Sequence, residues 1–198
     1  FCRGRIFDVV EKDCGQYDTV TEVMWVTGAA LFIRLADYRE VGGLDDHFFA
    51  HMEEIDLCWR LRSRGKKLVC IPQSVVYHVG GATLKKENPR KTFLNFRNNL
   101  LMLYKNLPDK ELEHVLFIRG ILDRVAALVF YLKKDRANAR AVMQARREFE
   151  DIRYSFAASR IENIMKSTDE MIPERTHFSI LMKYYLLGKK HFSQLKLF

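Results

Sequence analysis

The chain of 198 residues is 48% hydrophobic with only ten glycines and four prolines, which excludes a disordered or collagen-like polypeptide and allows one domain with a substantial core. A formal net charge of +8 makes nucleic acid and anionic membrane the polyanions to weigh as partners. That charge is one-sided: residues 1–84 carry ten basic and twelve acidic side chains, residues 85–198 twenty-three and thirteen.

Phe1 to Asp18 shows no initiator methionine, no signal-peptide pattern and no capped element, and reads as a chain entered in its middle. Glu22 to Arg34 alternates and then runs apolar, which predicts a strand entering a core with Gly28 as a point of close approach. Leu35 to Val41 follows as a short helix stopped by Gly42-Gly43. Glu53, Glu54 and Asp56 then precede an apolar and basic run (Ile55, Leu57, Trp59 and Leu61 against Arg60, Arg62 and Arg64) that ends at Gly65, so they open a helix. Free backbone N–H groups and the helix dipole favour carboxylates there, and two roles stay open: capping the helix, or projecting into a cleft as a general base. His47, His51 and Glu54 have the spacing of a zinc site on one helical face, but the glycine-rich lead-in predicts a loop and argues against one. Leu68 to Ile71 and Val75 to Tyr77 read as a buried strand that ends at His78, where Gly80-Gly81 turns the chain.

Beyond Thr83 the pattern is helical. Lys91 to Asn106 places Phe93, Phe96, Leu100 and Leu103 at helical spacing and is broken by Pro108. Glu111 to Lys134 forms a second helix, in which Arg119 and Asp123 can pair four residues apart; with Arg124 they make a membrane span too costly. Arg136 to about Lys166 reads as one long helix with a basic face (Arg140, Arg146, Arg147, Arg153, Arg160) opposite Phe149 and Phe156. Phe178 to Phe198 has the pattern of an amphipathic helix lying on an anionic membrane surface, with a charged solvent face over a small core as the other reading. The four cysteines form no CxxC pair and suit buried thiols in a reducing compartment, which predicts a cytoplasmic protein.

The string Trp25-Val26-Thr27-Gly28-Ala29-Ala30, followed by Gly42-Gly43-Leu44-Asp45, Phe48-Phe49, Glu53-Glu54-Ile55-Asp56-Leu57-Cys58-Trp59-Arg60, Gly65, and His78 with Gly81, resembles the acceptor half of the inverting family-2 glycosyltransferases. Within that family it is most similar to the rhamnosyltransferase-like members that build bacterial surface polysaccharides, over Arg3 to about Leu107. The resemblance implies an α/β fold: the C-terminal portion of a GT-A type domain, a small mixed sheet with helices, over 1–107. The residue pattern beyond it predicts a mostly α-helical basic tail over 108–198, whose amphipathic end is expected to dock at the inner face of the cell membrane. The resemblance also implies sugar transfer from a nucleotide-diphosphate donor to a saccharide or lipid-linked acceptor. Glu54 would be the base, although the family more often has aspartate there, and Trp25, Thr27, Gly28, Ala29, Glu53, Asp56 and Arg97 would border the acceptor and donor cleft. His78 would be a ligand of the divalent metal, Mn or Mg, that holds the donor diphosphate. The family's Asp-x-Asp metal motif occurs nowhere in this sequence, so metal and donor are expected only with a nucleotide-binding half that is absent. A non-catalytic truncated chain that binds a membrane or partner is the alternative. Nucleic acid is not expected, because the basic residues accompany no recognisable reader module.

Overall fold

The computed structural model describes residues 4–78, 88–168, 172–176 and 178–195, which form two compact units. The first comprises residues 1–23, 69–76 and 173–198, the second 24–68 and 77–172. A boundary at 107 would run through the second unit.

In the first unit β1 (Arg5–Ile6) pairs antiparallel with β2 (Val9–Val10), and β3 (Thr21–Glu22) with β4 (Val69–Cys70). Ile6, Phe192 and Leu195 form its core, with Tyr17, Phe178 and Tyr184 packed around them. Among the described residues, 178–195 do not form the one continuous amphipathic helix expected over 178–198. A helical turn spans Ile180 to Leu186, Gly188 takes a left-handed φ of 65°, and a separate 3-10 turn covers Phe192–Leu195. Tyr184 stacks edge-on against Phe7, so aromatic residues of this segment close a small core instead of extending one apolar stripe.

The second unit is helical. Its elements are α1 (Leu35–Glu40), α2 (Glu53–Ser63), α3 (Pro89–Asn106), α4 (Asp109–Leu132), α5 (Arg136–Ile152) and α6 (Ala157–Met165). Local signals set most of the ends. Gly42 and Gly43 stop α1 with φ of 82° and 70°; any Cβ on Gly43 would come within 2.9 Å of the Tyr38 ring. Gly65, also left-handed, closes α2, with Lys66 N–H donating to the Leu61 carbonyl. Asn88 caps α3, whose first residue is Pro89, and Pro108 separates α3 from α4.

Three further expected elements differ. The strand predicted over Glu22 to Arg34 is confined to Thr21–Glu22, because the Thr27 side chain accepts from Ala29 N–H and starts a 3-10 turn at Gly28–Ala30. The buried strand predicted to run into His78 is only Val69–Cys70. Pro72 follows in a turn where Ser74 N–H meets the Ile71 carbonyl, and Tyr77 is 97% exposed. The long helix from Arg136 breaks into a 3-10 turn at Arg153–Phe156, where Ser155 Oγ donates back to the Ile152 carbonyl and Phe156 turns into the core.

The core of the second unit joins Phe48, Trp59, Leu100, Leu101, Phe149 and Phe156. At its edge lies a buried polar cluster. Asp56, fully buried, receives Arg60 Nε at 3.0 Å, Lys105 Nζ at 3.0 Å and Asn106 Nδ2 at 2.7 Å. Arg60 also donates to the carbonyls of Val41 and Gly43, and Lys105 reaches Asp45 Oδ2 at 2.6 Å. Two carboxylates thus balance two cations where α2, α3 and the loop after α1 meet. Burial pushes the Asp45 carboxyl up, but its bonds to Lys105 and His47 outweigh this and hold it below the usual aspartate value.

The basic face read over α5 and α6 is partly internal. Arg146 Nη1 donates to Asp123 Oδ2 at 2.9 Å; Asp123 also pairs with Arg119 at 2.8 Å, the i, i+4 pair expected from the sequence. Arg160 donates to the carbonyls of Tyr104 and Leu107 at the end of α3 and to Asp109.

Replacing Asp56 by alanine leaves Arg60 and Lys105 buried with a deficit of negative charge and should cost about 3–5 kcal/mol, read as a lower urea midpoint. Because the Asp45 pKa is depressed in the fold, its contribution is complete above the unfolded-state aspartate pKa and is lost as pH falls through the lower folded value. In urea melts, Asp45→Asn should therefore flatten the acid limb of stability against pH.

Candidate active site around Glu54

The approach to α2 is strained. Phe49, His51 and Met52 have φ of 59°, 71° and 74°, a region that non-glycine residues rarely adopt. One side chain holds them. Asn98, buried in α3, directs its amide nitrogen at the carbonyls of Phe48 (2.8 Å), Ala50 (2.9 Å) and His51 (2.8 Å). Arg97 completes the clamp: Nε donates to Asn98 Oδ1 at 3.0 Å, Nη2 to the His47 carbonyl at 2.9 Å, and Nη1 to Glu148 Oε1 on α5 at 2.7 Å. Its guanidinium also lies 5.3 Å from the Phe93 ring centre. Arg97, expected to border the cleft, thus has every nitrogen of its guanidinium engaged within the fold.

This clamp delivers Glu53 and Glu54 to the first turn of α2, where no side chain caps the helix. Both are half-buried; Oε2 of each, together with Nε2 of His51, is enclosed without a hydrogen-bond partner among the described residues. Burial raises the Glu54 pKa above the ordinary glutamate value, and the neighbouring Glu53 charge adds to the rise against hydrogen bonds from backbone N–H groups. Burial lowers the His51 pKa, aided by Lys91 and opposed by Glu53.

Above Glu54 lies the Thr27-Gly28-Ala29 turn. A Cβ built on Gly28 would sit 3.7 Å from the Glu54 Cβ, an ordinary van der Waals distance, so the turn and the first turn of α2 are immediate neighbours. The sequence therefore named two segments that the fold brings together, 27–29 and 53–54. Trp25, next to this turn, is half-buried and outside the main core cluster. One helical turn further on, burial pushes the Cys58 thiol up to about 11, which leaves it protonated and unreactive.

Other expected residues lie elsewhere. Asp56 was placed in the cleft, but its carboxylate is enclosed and occupied by Arg60, Lys105 and Asn106, so it supports α2 from beneath. His78 is exposed, and Gly80-Gly81 lies outside the described residues. His47 sits in a 3-10 turn, Asp46–Phe48, with Nδ1 2.8 Å from Asp45, so the helical face that would align it with His51 and Glu54 does not exist. Among the described residues no group of three or more His, Cys, Asp or Glu side chains is arranged to hold a metal ion. The clamp role of Asn98 was not legible in the sequence beyond one signal, an amide within the apolar periodicity of α3.

Since Glu54 has a raised pKa in the fold, the carboxyl stabilises the protein most when protonated and opposes folding as pH rises through the folded value. Glu54→Gln should therefore raise the urea midpoint at neutral pH, and the gain should vanish below the unfolded-state glutamate pKa.

No family model matches the chain, and no solved structure matches it. Curated relatives do. The chain is 31% identical over 141 residues to the pre-mycofactocin glycosyltransferase of Mycobacterium tuberculosis, covering 66% of this chain and 29% of that protein. It is 38% identical over 56 residues to the N-acetylglucosaminyl-diphospho-decaprenol L-rhamnosyltransferase of the same organism, covering 28% and 18%. A third relative, the rhamnosyltransferase WbbL of Escherichia coli, is 33% identical over 69 residues, covering 35% and 25%. The chain thus spans less than a third of the length of each of these relatives. By sequence it is a homologue of part of the bacterial glycosyltransferases, with rhamnosyltransferases among its relatives.

Proposed function

We propose that these residues are the acceptor-side part of an inverting, family-2 glycosyltransferase with a GT-A type domain, and that Glu54 is its general base. The observation that carries this reading is the half-buried Glu54 carboxylate, one oxygen unpartnered and the pKa raised, in a residue that neighbours Gly28. A base needs a lone pair free for the substrate and a pKa close to the working pH; Glu54 has an unpartnered oxygen and a pKa raised in that direction. Asp56, by contrast, has its oxygens occupied.

In the proposed step Glu54 takes the proton of an acceptor hydroxyl as that oxygen attacks the anomeric carbon of a nucleotide-diphosphate sugar. The carbon–oxygen bond to the diphosphate breaks, the leaving group keeps the electron pair, and the configuration inverts. Rhamnose as the transferred sugar and a saccharide or lipid-linked acceptor follow from what the relatives' names say of those proteins. Trp25, Thr27, Gly28, Ala29 and Glu53 would line the approach to Glu54. Among the described residues no metal site is complete by itself. We therefore assign His78 only as one ligand of a divalent Mn or Mg site completed from outside these residues, and route no step through the metal.

In a transferase that joins these residues to a donor-binding half, Glu54→Gln should lower kcat by roughly 10²–10⁴-fold with nucleotide-sugar affinity unchanged, and Glu54→Asp should retain turnover. The pH profile of kcat/KM should rise through a pKa above that of ordinary glutamate. Full turnover by Glu54→Gln would refute the assignment. Calorimetric titration of nucleoside diphosphate with Mn²⁺ tests His78: its change to alanine should weaken the metal-dependent part of binding, and an unchanged isotherm would make it structural.

A further inference from the structure

The inner side of α4 is accounted for by Leu112, Leu116, Gly120, Asp123 and Ala127, all buried. Its outer side is not. From Phe117 to Leu132 eight large apolar side chains are between 40% and 71% exposed. Ile118, Ile121, Val125, Leu128 and Leu132 recur at alternating intervals of three and four residues, a continuous stripe along the helix. Together the eight leave on the order of 800 Å² of apolar surface, above the roughly 300–600 Å² of the largest patch on an ordinary monomer.

The charges around this stripe select its partner. Between Phe117 and Leu132 the only acidic residue is Asp123, which is 1% exposed and held by Arg119 and Arg146. Along the stripe and at its end the exposed charged groups are the cations Arg124, near its middle, and Lys133, Lys134 and Arg136; Asp135 among them accepts from Asn138, and the exposed Glu113 lies one turn before Phe117. A second copy docked across a twofold axis near Val125 would set Arg124 against its own mate, a like-charge contact at the centre of the interface. At an anionic lipid surface the same arginine extends along the helix to phosphates while its apolar neighbours enter the acyl boundary. No described helix, α4 included, is long and apolar enough to cross a membrane, which leaves α4 an orientation along the surface.

We propose that the outer face of α4, and not the C-terminal segment that the sequence suggested, seats this protein on an anionic lipid surface, with Ile118 to Leu132 inserted and Arg124, Lys133, Lys134 and Arg136 at the headgroups. The proposal deepens the transferase reading, since a lipid-linked acceptor would reside in that surface. Its test requires neither donor nor turnover, so failure here leaves the Glu54 assignment standing.

The experiment is flotation of the purified chain with phosphatidylcholine vesicles, with and without phosphatidylglycerol. Binding is expected with phosphatidylglycerol and should weaken as salt is raised. Ile121→Glu combined with Leu128→Glu should reduce it by about tenfold or more; both side chains are exposed, so the helical circular dichroism should be retained. Phe117→Gln provides an independent apolar variant, and Lys133→Gln with Lys134→Gln should weaken binding to the anionic vesicles specifically. Absence of flotation, flotation indifferent to the Ile121 and Leu128 changes, or a dimer in sedimentation equilibrium that those changes dissociate would each overturn the proposal.

Discussion

The second unit depends on the pairing of Asp56 with Arg60 and Lys105. Fully buried charges are tolerable only when balanced and hydrogen-bonded, and here both conditions hold: Asp45 and Asp56 face Arg60 and Lys105, while Asn106 takes the remaining Asp56 oxygen. The geometry also carries information. Arg60 binds the carbonyls of Val41 and Gly43, and Lys105 belongs to α3, so one cluster sets the positions of α2, α3 and the loop after α1 relative to each other. An apolar core alone would let these elements slide.

The Asn98 clamp builds on that frame. Left-handed backbone at Phe49, His51 and Met52 costs of order 1–3 kcal/mol per residue, and it persists because Asn98 and Arg97 bind the carbonyls on either side of the bend. The consequence is a carboxylate in opposed fields at Glu54. The start of α2 favours its charge, whereas burial and Glu53 disfavour it, and the second influence prevails. A Glu54 carboxyl poised in this way accepts a proton more readily than an exposed glutamate, which is why a strained loop with its supporting amide belongs to the site as much as the carboxylate does.

The surplus of positive charge has two destinations. Arg97, Lys105, Arg146 and Arg160 turn inward, where they satisfy carboxylates and the open carbonyl end of α3. Arg124, Lys133, Lys134 and Arg136 remain outside, beside the exposed stripe of α4. A count of basic residues mixes both groups, and the basic face read over α5 and α6 mixed them in that way.

The sequence by itself determined what depends on a few neighbouring residues. Gly42-Gly43, Gly65 and Pro108 set helix ends because they constrain φ or remove an N–H wherever they occur, and three acidic residues before an apolar run marked the start of α2. It also singled out Gly28 and Glu54, which the fold places side by side. Tertiary structure decided whatever depends on distant partners. The strands at Thr21–Glu22 and Val69–Cys70 end where their pairing ends, the helix from Arg136 breaks where Phe156 turns inward, and Asp56 and Arg97 are enclosed because residues fifty or so positions away supply their counter-charges. A charged side chain has the same local signature whether it faces solvent, substrate or a buried partner; only the packed chain fixes the dielectric around it, and with that its role.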